Sequence, residues 1–310
     1  MRLAIGSGIA FHEQIGSLWK SPGAAAARLG WWRAKGAEGV VFYDALPDFY
    51  RTPPERFREL RRVVEDAGLA VAGFNALRKS LFMPELAGWD DARLRRCLEV
   101  TEILGAPLLD VSVNVPIPHG LDPLAMAARP IYRGAHASGE AFATSAARLK
   151  PIAQSLARFG AELSIELHDD GLQDTADGCL RLVDLIGEPN VGVNPDIGNW
   201  YRVPYQHPDS WREQIVKLAP KTNYWEVKNY KRIIVPADGR AYSWSVDLDD
   251  GDLDFRAAAT ILWRSGFRGW VCGEGGQGDY VRSNLKYIEY MRWILDDWIP
   301  SADGTSPAGG

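Results

Sequence analysis

Apolar and polar positions along this chain are organised in a unit that recurs. A helical stretch ends in glycine, a few residues follow, and a short apolar strand runs into a polar residue. The unit reads Lys35-Gly36 to Val40-Val41-Phe42-Tyr43-Asp44, then Ala67-Gly68 to Val71-Ala72-Gly73-Phe74-Asn75. It returns from Leu104-Gly105 to Leu108–Asn114, from Phe159-Gly160 to Leu163-Ser164-Ile165-Glu166, from Ile186-Gly187 to Val191–Asp196 and from Ser265-Gly266 to Gly269–Glu274. Glycine just past a helix takes the left-handed conformation without a Cβ penalty. One further unit, Ala219-Pro220 to Thr222–Glu226, stops on proline instead. Between the strands the period is helical. Phe57, Leu60, Val63, Val64 and Ala67 fall on one stripe, and Leu94, Cys97, Leu98, Thr101 and Leu104 on another.

With an opening strand at Leu3–Gly6 there are eight strands, each followed by a helix, the last near Arg282–Trp298. Strands alternating with helices imply a parallel sheet. Eight such units in a chain of 310 residues predict an α/β protein with a single (β/α)8 TIM barrel over residues 1–300, and a flexible C-terminal tail at 301–310. Two connections are long: Val115–Ala137 after strand 4 and Asn229–Gly251 after strand 7. Both leave carboxyl ends of strands, the face where barrel enzymes carry their sites, and read as lids or specificity loops.

Composition narrows the function classes. The chain is 46% hydrophobic and 24% charged with a formal net charge of −5, which excludes a disordered protein and argues against nucleic acid as partner. No apolar run is long enough to span a membrane. The start is too short and glycine-broken for a signal peptide. Cys97, Cys179 and Cys272 form neither a CxxC pair nor an even framework, so free thiols in a reducing cytoplasm are expected. Twelve tryptophans are many for the length. Trp31, Trp32, Trp263 and Trp293 fall on predicted helices and should pack on the barrel or a partner.

Chemistry collects at the strand ends. Residues i and i+2 share a strand face. Strand 5 therefore offers Glu166 and His168 together, strand 6 Asn194 and Asp196, strand 7 Glu226 and Lys228, and strand 8 Cys272 and Glu274. Converging acids repel and resist desolvation, and a divalent cation compensates them. An oxygen-rich donor set suits Mn2+ or Mg2+, whereas zinc prefers more His or Cys. The alternative is that each acid pairs with a nearby Lys or Arg or caps the next helix. Gly273–Gly278 fits GxGxxG, but no further βαβ unit follows it, so a dinucleotide site is not expected and a phosphate cradle stays open.

The segments Leu163-Ser164-Ile165-Glu166-Leu167-His168-Asp169 and Val191-Gly192-Val193-Asn194-Pro195-Asp196-Ile197-Gly198-Asn199 resemble the xylose-isomerase-like barrels, the sugar phosphate isomerase/epimerase superfamily, over about residues 2–297. The resemblance implies one divalent metal held by Glu166, Asp196, Glu226 and Glu274, and proton removal next to a sugar carbonyl. Strand 7 departs from the family: His-x-Lys-Asp is usual, and here it reads Glu226-Val227-Lys228-Asn229. The catalytic candidates are His168, Glu166, Glu274 and Lys228. His168 is either a base or a residue orienting Glu166. Lys228 either balances the acids or protonates a leaving oxygen. His12, His119, His136 and His207 fall in loops.

The apurinic endonucleases of the same superfamily use many histidines, and five are too few here. Three readings remain. The Glu-x-His-Asp segment resembles the C-glycoside deglycosidase α subunits and 3-keto-glycoside eliminases, which implies β-elimination from a 3-oxo-glycoside and an oligomer with a small second subunit. The others are a ketose isomerase or epimerase, and a non-catalytic sugar-binding or scaffold subunit. Trp200, Tyr201, Tyr205, Tyr230, Tyr242, Trp244 and Tyr280 lie in the site-facing loops, where rings stack on sugars or flat aglycones, or simply pack.

Overall fold

The computed structural model describes residues 1–10, 22–45, 49–117, 131–237, 239–275 and 278–302. His12, His119, most of the loop after strand 4, Gly276-Gln277 of the glycine motif and nearly all of the expected tail lie outside these residues. In chain order the strands are β1 (Arg2–Gly6), β2 (Gly39–Tyr43), β3 (Ala70–Ala76), β4 (Leu108–Val111), β5 (Glu162–Glu166), β6 (Val191–Asn194), β7 (Tyr224–Val227), β8 (Asn229–Ile234), β9 (Ala241–Val246) and β10 (Trp270–Gly273). Eight of them, β1–β7 and β10, form one parallel sheet in the order β6-β5-β4-β3-β2-β1-β10-β7. The sheet curls until β6 meets β7, giving a nearly closed (β/α)8 barrel.

The recurring glycines act as read from the sequence. Gly36, Gly68, Gly105, Gly160, Gly187 and Gly266 all have positive φ, between 65° and 98°. The helices turn their apolar stripes onto the sheet. Phe57, Leu60 and Val64 of helix Pro54–Asp66 are buried, as are Leu94, Cys97, Thr101 and Leu104 of helix Pro84–Leu104. Each such large apolar side chain stabilises the fold by about 1.5–3 kcal/mol. Inside the barrel a second, small cluster joins Ala4, Val41, Tyr43, Ala72, Leu108, Tyr224, Trp270 and Cys272. All three cysteines are buried and unpaired. Of the helix tryptophans, Trp32 is fully buried, Trp31 and Trp263 are partly buried against the core, and Trp293 is exposed.

Two features differ from the sequence reading. The long connection after strand 7 is built on an antiparallel hairpin, β8 with β9, pairing Asn229–Ile234 with Ala241–Val246. In β9 apolar and polar residues alternate from Tyr242 to Val246, and β8 ends in the β-branched pair Ile233-Ile234, which favours pairing over an irregular loop. The join between β6 and β7 is thin. One parallel bridge, Val193 with Thr222, connects them. The rest is side-chain work. Asn194 Oδ1 accepts from the Glu226 N–H at 2.8 Å, and Asn223 Nδ2 reaches past β6 to donate to the Leu163 carbonyl of β5 at 3.1 Å. Gly192 makes room for the second bond: a Cβ there would stand 2.4 Å from Asn223 Cγ.

A candidate metal centre at the carboxyl ends of the strands

The inward parity of the barrel strands decides which side chains meet. Glu166 ends β5, Asp196 stands two residues beyond β6, Glu226 lies in β7 and Glu274 follows β10. Each offers a carboxylate oxygen, and these atoms all lie within 4.8 Å of one another. Asp196 and Glu226 are fully buried and Glu166 nearly so. Asp196 also caps the short helix Ile197–Tyr201, accepting from the Gly198 and Asn199 N–H groups at 3.0 and 3.2 Å. Lys228, two residues beyond Glu226, places its ammonium 2.9 Å from Asp196 and in contact with Glu274. Gly198 permits that approach, since a Cβ there would be 2.6 Å from both Lys228 Cγ and its carbonyl.

Electrostatics follow from this crowding. Burial, then the neighbouring acids Glu226 and Asp110, pushes the Glu166 carboxyl well above the usual range. Glu226 is raised likewise by burial, Glu274 and Asp110. Asp196 is raised by burial, against the pull of Lys228. At Glu274 burial opposes ionisation, but the Lys228 ammonium outweighs it and holds the carboxyl low.

The donor set fits a divalent cation on two counts. Two unit charges at 4.8 Å repel by about 3.5 kcal/mol at an effective dielectric of 20, and among the described residues Lys228 is the one ammonium paired with these four acids. Glu166 Oε2 is buried with no hydrogen-bond partner, while Oε1 accepts from Asn199 Nδ2 at 2.8 Å. Oxygen-only donors of this kind match Mg2+ or Mn2+.

His168 continues the face of Glu166 two residues on and is almost fully buried. Its Nδ1 lies 2.8 Å from the Asp169 carbonyl and 2.9 Å from Asp169 Oδ1, both acceptors. The proton is therefore assigned to Nδ1, which leaves Nε2 as the basic nitrogen. Burial holds the imidazole pKa down despite Asp169. Asp169 is fixed in turn by Arg202 at 2.5 Å. Burial works against ionisation of Asp169, but Arg202 and His168 overcome it and keep the carboxylate charged. Arg78 reaches Asp170 at 3.6 Å and Asp169 at 4.0 Å. Arg78 and Asp170 both have positive φ, 31° and 66°. Such strain in non-glycine residues gathers at functional sites.

Sequence reasoning assigned no role to the layer beneath. Asp110 on β4 faces the interior and is fully buried. Its Oδ2 accepts from Asn75 Nδ2 and Asn194 Nδ2, both at 3.1 Å. The same two amides donate to Glu226, at 3.3 and 3.2 Å. Tyr43 and Tyr224 hydroxyls add donors to Glu226 Oε1 at 3.3 and 3.0 Å. Within this layer strand parity placed only Asn194, on the face of Asp196; Asn75 and Asp110 were not singled out. Of the loop histidines, His136 is exposed and His207 stacks on Trp200 at 4.1 Å. Trp200 is itself buried, so it packs rather than lining a mouth. Tyr242 and Trp244 are exposed on the hairpin.

A family model described as xylose isomerase-like TIM barrel matches residues 26–296. No curated protein matches the chain. Among solved structures, a xylose isomerase-like TIM barrel protein from Mycobacterium smegmatis in complex with magnesium superposes with a TM-score of 0.74 at 23% identity, covering 91% of this chain and 92% of that one. An L-ribulose 3-epimerase superposes with a TM-score of 0.74 at 15% identity, covering 100% and 99%. A 3-keto-D-glucoside 4-epimerase from E. coli does so at 0.65 and 14%, covering 95% and 99%. Among the described residues no helix is long and apolar enough to cross a membrane.

Proposed function

The chain belongs to the xylose isomerase-like TIM barrel family, and on that footing we propose that it is a metal-dependent sugar enzyme of the lyase type, removing a proton next to the carbonyl of a 3-oxo-glycoside and expelling the aglycone by β-elimination. Glu166, Asp196, Glu226 and Glu274 would hold the Mn2+ or Mg2+ ion. A bound divalent cation supplies Lewis-acid polarisation of the carbonyl. The chain's own groups do the rest. His168 Nε2 takes the proton from the carbon between the carbonyl and the anomeric carbon. The electron pair left behind forms a C=C bond as the bond to the aglycone breaks. Lys228, in contact with Glu274, offsets the acids and is the proton source for the departing group. Three buried cysteines outside any disulfide favour a reducing, cytoplasmic setting.

The observation that carries this reading is His168. A histidine whose Nδ1 is engaged by Asp169, beside a carboxylate cluster, is a dedicated base that a purely structural site does not need. A ketose epimerase is the second reading. Glu166 and Glu274 come from β5 and β10, which are not neighbours in the sheet, as a pair exchanging a proton across a substrate would be. The deciding experiment incubates the Mn2+-loaded protein in D2O with 3-oxo-glucosides and with free ketoses. Aglycone release is expected. Deuterium incorporation and epimer formation on ketoses alone would reject elimination in favour of epimerisation.

A further inference from the structure

Glu226 is surrounded in a way that none of the other three acids is. Its Oε1 accepts from two tyrosine hydroxyls, Tyr43 at 3.3 Å and Tyr224 at 3.0 Å, and shares the Asn75 amide at 3.3 Å. Its Oε2 accepts from Asn194 Nδ2 at 3.2 Å and the other branch of the Asn75 contact. A carboxylate has about four lone-pair sites on its two oxygens. Oε1 takes three of these contacts and Oε2 two, so Oε2 is the less engaged oxygen.

The Asn194 amide cannot flip. Asn194 Oδ1 accepts from the Glu226 N–H, so its Nδ2 must face the acids. Each amide spends one proton on Asp110 Oδ2 and the other on Glu226. Asp110 therefore orients Asn75 and Asn194, and these orient Glu226. Every hydrogen-bond partner of the Glu226 head is a donor. The pocket is built for a carboxylate, which only accepts; an imidazole would bring an N–H into a ring of N–H and O–H donors.

We infer that Tyr43, Asn75, Asn194 and Tyr224 form a carboxylate cradle that positions Glu226 as a metal ligand and biases the centre towards hard divalent cations such as Mn2+ or Mg2+, away from Zn2+. The inference rests on the metal-centre reading above. Tyr43, Asn75, Asn194 and Tyr224 are positioning residues, acting through Glu226. Zinc favours nitrogen and sulfur donors, while carboxylates suit Mg2+ and Mn2+. Removing an outer partner of a metal ligand costs about 10–100-fold in affinity.

The test uses the full-length protein stripped with chelator and titrated calorimetrically with MnCl2 and, separately, ZnCl2. Thermal melts of each metal-free variant verify folding. Tyr43→Phe with Tyr224→Phe removes only two oxygens and should weaken Mn2+ binding about 10–100-fold. The same variant should lose more affinity for Mn2+ than for Zn2+. A folded double tyrosine variant that binds Mn2+ like the parent, or that loses Mn2+ and Zn2+ affinity equally, overturns the cradle. Failure of the underlying reading looks different: Glu226→Gln would then bind Mn2+ as tightly as the parent protein. If the double tyrosine variant fails to fold, the single Tyr43→Phe variant is read by the same titration against the same two outcomes.

Discussion

Replacing Asp110 by asparagine isolates one buried charge. The parent carboxyl is fully buried on β4, and burial, opposed by the Asn194 and Ser164 hydrogen bonds, pushes its pKa from 3.8 up to about 7. In the unfolded chain the group ionises near its ordinary value of about 3.9. The folded state thus holds this proton more tightly than the unfolded state does. Its contribution to stability is intact below about pH 4, falls as pH rises through neutrality, and is fully lost above the folded pKa. Three units at about 1.36 kcal/mol each make the loss about 4 kcal/mol. Asparagine keeps the shape and one acceptor oxygen for the Asn75 and Asn194 amides but does not titrate. At low pH the variant should match the parent or fall slightly below it, through imperfect hydrogen bonding. At pH 8 it should be relatively better by about 4 kcal/mol. For 310 residues the unfolding entropy is about 0.65 kcal/mol/K, so the difference in melting temperature between the proteins should move by about 6 °C across the range. Circular-dichroism melts in chelator from pH 4.5 to 8 measure it. A difference that stays constant within about 2 °C would refute the assignment of a raised, buried carboxyl to Asp110.

Three further outcomes test the centre and its base. Glu166→Gln and Glu274→Gln should each abolish Mn2+ retention through gel filtration, read by elemental analysis. In the parent protein the same titration should release protons and tighten with rising pH, because burial and neighbouring acids hold Glu166 and Glu226 partly protonated. His168→Ala should keep its metal yet lose about 10²–10⁴-fold in turnover on the 3-oxo-glucoside; full turnover would end its role as base.

The barrel was readable because its punctuation is local. A glycine that must take positive φ, such as Gly105 or Gly187, announces a helix end without knowledge of any partner. The four acids were readable because strand parity and strand ends are also local properties. The hairpin β8–β9 carried a signal as well, in the alternation Tyr242, Trp244, Val246 after an Asp-Gly pair, but long connections on this face are usually irregular. The cradle was not readable. Asn75, Asp110 and Asn194 come from three different strands, and only the barrel register shows that two amides each bridge the same two acids. The buried state of Trp200 and its stack on His207 likewise depend on a tertiary contact that loop composition does not encode.

The thin join between β6 and β7 gives the centre a mechanical meaning. Glu166 and Asp196 belong to one lip of that slit, Glu226, Lys228 and Glu274 to the other. The Lys228–Asp196 ion pair and the Asn194–Glu226 bond cross it where ladder hydrogen bonds are sparse. The same side chains therefore fasten the wall and furnish the chemistry. A substitution that loosens one loosens the other, and the slit is where amide hydrogen exchange should first reveal the barrel breathing.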